Sequence, residues 1–163
     1  MADVHHLAPS KRPYVAVVGP GDADGEHAWL AEEVGARLAE AGAVVVTGGL
    51  GGVMEAACRG AKSRRGQTLA LLPGDDRTAA NGWVDVAVAT GMGEMRNALI
   101  VRAADALIAI GGGPGTLSEL GFALKTGRPV VGLASWDIEG MITASEPAEA
   151  VARALRHSSS AVS

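Results

Sequence analysis

The chain has 163 residues, a net charge of −4 and a pI near 5.5, and this acidic balance argues against a nucleic-acid surface, which is usually basic over a whole face. Hydrophobic residues make up 48% of the chain but aromatic residues only 3%, so the core must be built mainly from Ala, Val, Leu and Ile. The single cysteine, Cys58, excludes an intramolecular disulfide and a cysteine-based metal cluster.

The length predicts one domain with no internal repeat. The first 13 residues mix acidic, basic and histidine side chains, unlike a signal peptide, and no apolar run approaches 18 residues. We therefore expect a soluble, cytoplasmic protein that binds neither membrane nor nucleic acid. Its predicted parts are a flexible arm at 1–12, a folded domain at 13–156 and a flexible tail at 157–163.

The first half of the chain alternates short apolar runs with helical patterns. Strands are predicted at 15–18, from residue 44 and at 68–72, and helices at about 26–41 and 53–62. The turns after the first two strands are rich in glycine: Gly19 and Gly21 in one, Gly48 and Gly49 in the other. Backbone N–H groups in such turns can bind anions, so these glycines are candidate phosphate or nucleotide contacts.

Two other ligand classes, dinucleotides and metal ions, are disfavoured by the residues at the key positions of their motifs. Gly19 and Gly21 begin a dinucleotide-binding pattern, but its third glycine is replaced by Asp24 and no acidic residue follows the second strand. The acidic residues at 22–26 lack the glycine and closing glutamate of a calcium loop, and His5-His6 has no further ligands nearby. Asp22 or Asp24 can instead cap the first helix. We expect no metal and no cofactor.

The second half continues the alternation. Strands are predicted at 84–88, 106–110 and 129–133. One helix is predicted to begin in the segment 90–97 and to end at about residue 104. A second helix runs through 120–125, and a third is predicted at 147–155. Arg96 falls in the first turn of its helix, where a positive charge opposes the helix dipole. A residue placed against its local preference often has a ligand, so Arg96 is a candidate site residue, with Met95 and Asn97 beside it.

A chain of alternating strands and helices predicts a Rossmann-like, doubly wound parallel α/β sheet. In such sheets, ligands bind beyond the carboxyl ends of the strands. The glycine-rich and polar turns should therefore meet on one rim and form a nucleotide-sized pocket.

The central motif runs from Ile108 to Glu119, an apolar strand that breaks into glycines and restarts as a helix. Gly112, Gly113, Gly115 and Thr116 would present free N–H groups to a phosphate. The same stretch also fits a capping box, in which the Thr116 side chain caps the helix and Glu119 reaches back. The spacing alone leaves both roles open for Glu119.

This motif resembles the PGGxGTxxE signature of the Lonely Guy family, whose members long carried the name "possible lysine decarboxylase"; Gly111 replaces the first proline of that signature. The segment around Arg96 occupies the place of that family's MHxRK motif, with Glu94 and Asn97 where His and Lys are usual. These departures resemble a sister branch of the superfamily that includes molybdenum-cofactor carrier proteins.

The Lonely Guy resemblance implies a phosphoribohydrolase, which releases a base from a nucleoside 5′-monophosphate. Arg96 and Glu119 would then be catalytic, because a carboxylate can stabilise an oxocarbenium-like state and a guanidinium can hold the phosphate or the departing base. The sister branch implies instead a carrier or sensor that binds a phosphorylated ligand without transforming it. Family members are commonly homodimers. Lysine decarboxylation is disfavoured, because no lysine lies in a pyridoxal phosphate context.

Overall fold

A computed structural model describes residues 12–158 of the protein. The strands are β1 (Tyr14–Val18), β2 (Val44–Thr47), β3 (Gln67–Leu72), β4 (Val86–Ala89), β5 (Ala106–Gly111), β6 (Val130–Ser135) and β7 (Ile142–Ala144). The helices are α1 (Gly25–Glu40), α2 (Val53–Ser63), α3 (Arg96–Ala103), α4 (Pro114–Thr126) and α5 (Pro147–Ser158). Short 3₁₀ turns lie at Arg77–Ala79 and Gly93–Met95.

All seven strands form one parallel sheet in the order β4-β3-β2-β1-β5-β6-β7. β1 pairs with β2 on one side and with β5 on the other, so the direction in which the chain adds strands reverses between β1 and β5. Loops that leave the carboxyl ends of strands at such a switch point diverge to opposite faces and open a crevice. The predicted single-domain, Rossmann-like doubly wound fold is confirmed.

Two hydrophobic cores, one on each face of the sheet, hold the helices in place. On one face α1, α2 and α5 pack over Val15 and Val17 of β1; on the other, α3 and α4 pack over Ala16 and Val18. Every residue of β5 is buried, as expected for a central parallel strand. The face that carries α3 and α4 has fewer helices on it.

The helix ends follow from local sequence. The Asp24 carboxylate accepts a hydrogen bond of 2.8 Å from the backbone N–H of His27, which confirms one of the two predicted caps for α1. Pro114 is the first residue of α4, a position where its missing N–H costs no helix hydrogen bond. Gly127 ends α4 with a φ of +72°, in the left-handed conformation typical of a C-cap glycine.

The structure departs from the sequence-based elements in a few places. β4 begins two residues later than predicted, and the edge strand β7 has no counterpart among the predicted strands. α5 continues through His157 and Ser158, the first two residues of the predicted tail. Residues 1–11 of the predicted arm and 159–163 of the tail lie outside the described residues. Arg12, the last residue of that arm, donates side-chain hydrogen bonds to the Gly42 carbonyl and to Gln67.

No helix between residues 12 and 158 is long and apolar enough to cross a membrane.

Candidate functional site

A cleft of about 380 Å³ opens at the switch point, between the loops that follow β1 and β5. This volume lies within the range of small-molecule sites, roughly 300–1,000 Å³. Its walls come from the β1 loop, the start of α2, the start of α3 and the glycine-rich start of α4. The lining residues are Gly19, Pro20, Gly21, Asp22, Met54, Arg96, Asn97, Gly112, Gly113, Pro114, Gly115, Thr116 and Glu119.

Arg96 is the buried cation of the cleft. It is the first residue of α3 and is only 7% exposed. The guanidinium lies so close to the backbone of Gly48 that a Cβ at that position would overlap it and would also meet the sulfur of Met54. Gly48 therefore leaves the space that the guanidinium occupies, and a larger residue there would displace the ends of both side chains.

The Nε of Arg96 is buried and has no hydrogen-bond partner among the described residues. Buried polar groups are almost always paired, and leaving one unpaired costs about 1–3 kcal/mol or more when it is charged. Because Arg96 lines the cleft, an anion bound there would lie next to this incompletely paired guanidinium.

Glu119 is the buried acid of the cleft and is only 6% exposed. The N-cap of α4 is Gly113, with no side-chain cap, so Thr116 is the third helical residue and Glu119 lies further inside the helix. The capping-box interpretation is thus wrong, because α4 begins three residues before the position it requires. Both Thr116 and Glu119 instead lie on the buried side of α4.

The two charges influence each other without forming an ion pair. Across residues 12–158, Arg96 and Glu119 share no contact within 4.0 Å between their charged atoms. Burial raises the pKa of Glu119 to about 8, and the positive charge of Arg96 offsets only part of that effect. Burial lowers the pKa of Arg96, which Glu119 partly opposes. At pH 7 the cleft therefore combines a guanidinium with a largely protonated carboxyl group.

The start of α4 adds a second attraction for anions. Its first residue, Pro114, has no N–H, so the first free donors of the helix are the N–H groups of Gly115 and Thr116. These donors and the positive end of the helix dipole lie in the wall of the cleft that Arg96 also lines.

Asn97 connects α3 to the first turn of α4. Its side-chain amide donates to the Ser118 hydroxyl at 3.1 Å, and that hydroxyl donates to the carbonyl of Gly115 at 2.7 Å. Because Asn97 is buried, these two hydrogen bonds fix the distance between the Arg96 end of α3 and the N–H groups of α4. Asn97 therefore positions the cleft as well as lining it.

The structure brings together most of the residues that the sequence singled out. Those that line the cleft are Gly19, Gly21, Arg96, Asn97, Gly112, Gly113, Gly115, Thr116 and Glu119. Gly48 and Gly49 do not line it: Gly48 packs against Arg96, and a Cβ at Gly49 would meet Ala70 and Leu72 of β3. Met95 is 71% exposed and lies outside the cleft lining, in the 3₁₀ turn that precedes α3.

Sequence reasoning missed four lining residues, Pro20, Asp22, Met54 and Pro114. Three of them adjoin predicted glycines, so a signal existed in their neighbours. Met54 had no such signal, because an apolar residue at a helix start is indistinguishable from a core residue in sequence. Residues 12–158 contain no group of three or more His, Cys, Asp and Glu side chains that could hold a metal ion.

The buried carboxyl of Glu119 predicts a pH-dependent stability. Its pKa is about 8 in the folded protein against an ordinary value of 4.5, so the folded state holds an extra proton between these limits. Stability contributed by this group is therefore complete below pH 4.5 and declines as pH rises toward 8. We expect the variant Glu119→Gln to lack this decline. In urea unfolding at pH 9, its free energy of unfolding should exceed that of the wild type by on the order of a few kcal/mol.

Glu139→Gln, a change at an exposed carboxylate after β6, is the matched control and should follow the wild-type profile. Parallel pH profiles for Glu119→Gln and the wild type would show that Glu119 is ionised in the folded protein at neutral pH.

The Arg96–Gly48 contact predicts a second effect. Gly48→Ala should displace the guanidinium and the Met54 sulfur, because the new methyl group overlaps both, and should destabilise the protein by about 1 kcal/mol, since both are ends of flexible side chains. Gly74→Ala, where nothing lies within 4 Å of the added Cβ, should have little effect. Thermal unfolding of both variants measures the difference, and equal melting temperatures would contradict the contact.

Comparison with known proteins places the chain in a family. A model described as the SLOG cluster4 family matches residues 12–161. An uncharacterised protein of Archaeoglobus fulgidus is 46% identical over 138 residues, which cover 84% of this chain and 91% of that one.

Solved structures agree with this assignment. The molybdenum cofactor binding protein from Rippkaea orientalis has a TM-score of 0.84 at 34% identity, over 89% of this chain and 96% of that one. The molybdenum cofactor carrier protein of Chlamydomonas reinhardtii has a TM-score of 0.83 at 32% identity, over 90% of this chain and 98% of that one. DNA processing protein A from Streptococcus pneumoniae has a TM-score of 0.70 at 21% identity, over 87% of this chain and 62% of that one. At this identity the similarity shows a shared fold alone. The resemblance to the superfamily branch with molybdenum-cofactor carriers is confirmed, and the chain belongs to the SLOG cluster4 family.

Proposed function

We propose that this protein binds a small phosphorylated ligand in the switch-point cleft and releases it unchanged, as a carrier or sensor. The observation that carries this proposal is the buried guanidinium of Arg96, whose Nε has no partner among residues 12–158 and which lines the cleft together with the start of α4. A phosphate is the group that best satisfies a guanidinium and free helix N–H groups together.

The raised pKa of Glu119 suits a binding role and disfavours one hydrolytic role, the stabilisation of a cationic transition state by a carboxylate. A carboxyl group with a pKa of about 8 is largely protonated at neutral pH, so it can donate a hydrogen bond to a ligand oxygen. It lacks the negative charge that would stabilise an oxocarbenium-like state. A bound phosphate would raise its pKa further, because like charges disfavour a second ionisation nearby.

The relatives support the same class of ligand. The proteins from Rippkaea orientalis and Chlamydomonas reinhardtii are described as binding or carrying the molybdenum cofactor. A pterin that bears a phosphate would suit a cleft of about 380 Å³ with one guanidinium and one helix N-terminus as its anion contacts. Molybdenum cofactor would here be cargo, held through its phosphate by Arg96, Gly115 and Thr116.

A second candidate is a nucleoside 5′-monophosphate phosphoribohydrolase, with Arg96 and Glu119 as the catalytic pair. The specific observation in its favour is that both side chains line one cleft beside the glycine-rich start of α4. Where Glu119 stabilises the oxocarbenium-like state it must lose its proton, so in this role the rate should rise as pH passes the pKa of about 8.

Turnover assays separate the two functions. Purified protein is incubated with AMP, GMP and free molybdenum cofactor at pH 7 and at pH 9, and products are resolved by chromatography while calorimetry measures binding. The carrier function predicts recovery of intact ligand at both pH values. It also predicts that Arg96→Ala weakens binding by about tenfold to a hundredfold, because charge-assisted hydrogen bonds are lost.

Glu119→Gln is the informative control, because a Gln amide can still donate a hydrogen bond. It should retain binding in a carrier and abolish base release in a hydrolase. Free base that appears with the wild type, increases at pH 9 and vanishes in Glu119→Gln would establish the hydrolase. Tight binding by Arg96→Ala would contradict both functions.

We also propose that the protein forms a homodimer through the exposed side of α4. Leu117 and Phe122 are 43% and 42% exposed there, on the face of the sheet that only α3 and α4 cover within residues 12–158. Light scattering should give a dimeric mass for the wild type and a monomeric mass for the double variant Leu117→Glu/Phe122→Glu. Trp29→Glu, at a 58% exposed position on α1, should leave the dimer intact. A monomeric wild type would refute this interface.

A further inference from the structure

A β-bulge at the end of β6 brings a tryptophan to the rim of the cleft. The pairing of β5 with β6 shifts between Ile110↔Leu133 and Gly111↔Ser135, which leaves Ala134 as the extra residue. Its φ of +50° is the left-handed conformation that residues with a side chain rarely adopt. Such bulges and strained residues commonly redirect a side chain beside a functional site.

The bulge ties the end of β6 to the glycine-rich loop. The Ser135 hydroxyl donates a hydrogen bond to the carbonyl of Gly111. The next residue, Trp136, lies with the Nε1 edge of its indole against Gly112, where an added Cβ would overlap the ring. Because Gly112 lines the cleft, the indole flanks the cleft from outside its wall.

Part of the Trp136 indole is exposed and available for contact with a ligand. Trp136 is 44% exposed, and within residues 12–158 its Nε1–H donates no hydrogen bond that would hold the ring in place. Tryptophan usually buries its ring or pairs its N–H. An indole that is half-exposed and contacts Gly112 along one edge, beside the cleft, has the features of a stacking surface for a planar ring.

We propose that Trp136 is a ligand-binding residue that stacks on the planar heterocycle of the phosphorylated ligand. This inference rests on the proposed function, in which the phosphate lies on Arg96 and the N–H groups of Gly115 and Thr116. In this proposal the ring end of the ligand extends past Gly112, which lines the cleft, to the indole that contacts Gly112 from the other side. Trp136 would therefore select ligands with a purine-like or pterin-like ring over simple sugar phosphates.

The chain offers matched controls in its other two tryptophans, Trp29 and Trp83: both are exposed, and neither is among the atoms nearest to the cleft glycines, whereas Trp136 is nearest to Gly112. In the variant Trp29→Phe/Trp83→Phe, Trp136 is the only tryptophan and its fluorescence reports on the rim directly. Two probes separate ring from phosphate. GMP carries a guanine, whose aminopyrimidinone ring is shared by pterins, and ribose 5-phosphate carries no ring to stack.

We expect GMP to quench Trp136 fluorescence and ribose 5-phosphate to leave it nearly unchanged. In calorimetry, Trp136→Ala should weaken GMP binding by about tenfold, a typical effect of losing one stacked base, and should leave ribose 5-phosphate binding unaltered. Trp136→Phe keeps an aromatic face and should restore most of the GMP affinity. Trp29→Ala should bind both probes like the wild type.

The outcomes distinguish this inference from the function on which it rests. If the wild type binds neither probe, the proposed anion site fails. If it binds ribose 5-phosphate as tightly as GMP, or if Trp136→Ala weakens both probes equally, the anion site stands and the stacking role is overturned. Equal loss of both would mean that Trp136 only shapes the Gly112 loop.

Discussion

The guanidinium of Arg96, whose buried Nε has no hydrogen-bond partner among residues 12–158, is the constraint on which the rest of the site depends. A charge that is only 7% exposed costs free energy unless neighbours compensate it, and the acid that shares its cleft, Glu119, forms no ion pair with it. Gly48 leaves space for the guanidinium, and the hydrogen bonds from Asn97 through Ser118 hold α4 beside it. The fold thus maintains a position suited to an anion, and the energy that this arrangement costs in the free protein is available to binding.

The protonation state of Glu119 determines whether Arg96 is available to an anion. An ionised Glu119 would neutralise Arg96 and compete with any incoming phosphate. Burial instead favours the protonated form, which leaves the guanidinium available.

Sequence patterns predicted the parallel sheet well, because buried strands such as β5 read as continuous apolar runs and the intervening helices show a helical period. The meeting of Arg96, Glu119 and the α4 glycines was also predictable, since loops at the carboxyl ends of parallel strands share one edge. The capping box was not excluded by sequence, because four-residue matches carry no information on where a helix begins. The roles of Gly48 and Trp136 depend on close approaches between distant segments, and no local pattern records them. β7 has only three residues, too few for a periodic signal.

The pairing of β1 with β5 has a consequence for how the site comes into being. Val15 of β1 lies beside Ala106 of β5, so the two halves of the cleft come from segments separated by much of the chain. Such distant parallel pairing is slow to form and cannot begin until the later segment exists. A nascent or truncated chain that ends before β5 can build βαβ units from its first half, yet it has neither the second wall nor the N–H groups of α4. The complete cleft is therefore a property that appears only late in synthesis, after α4 has been made.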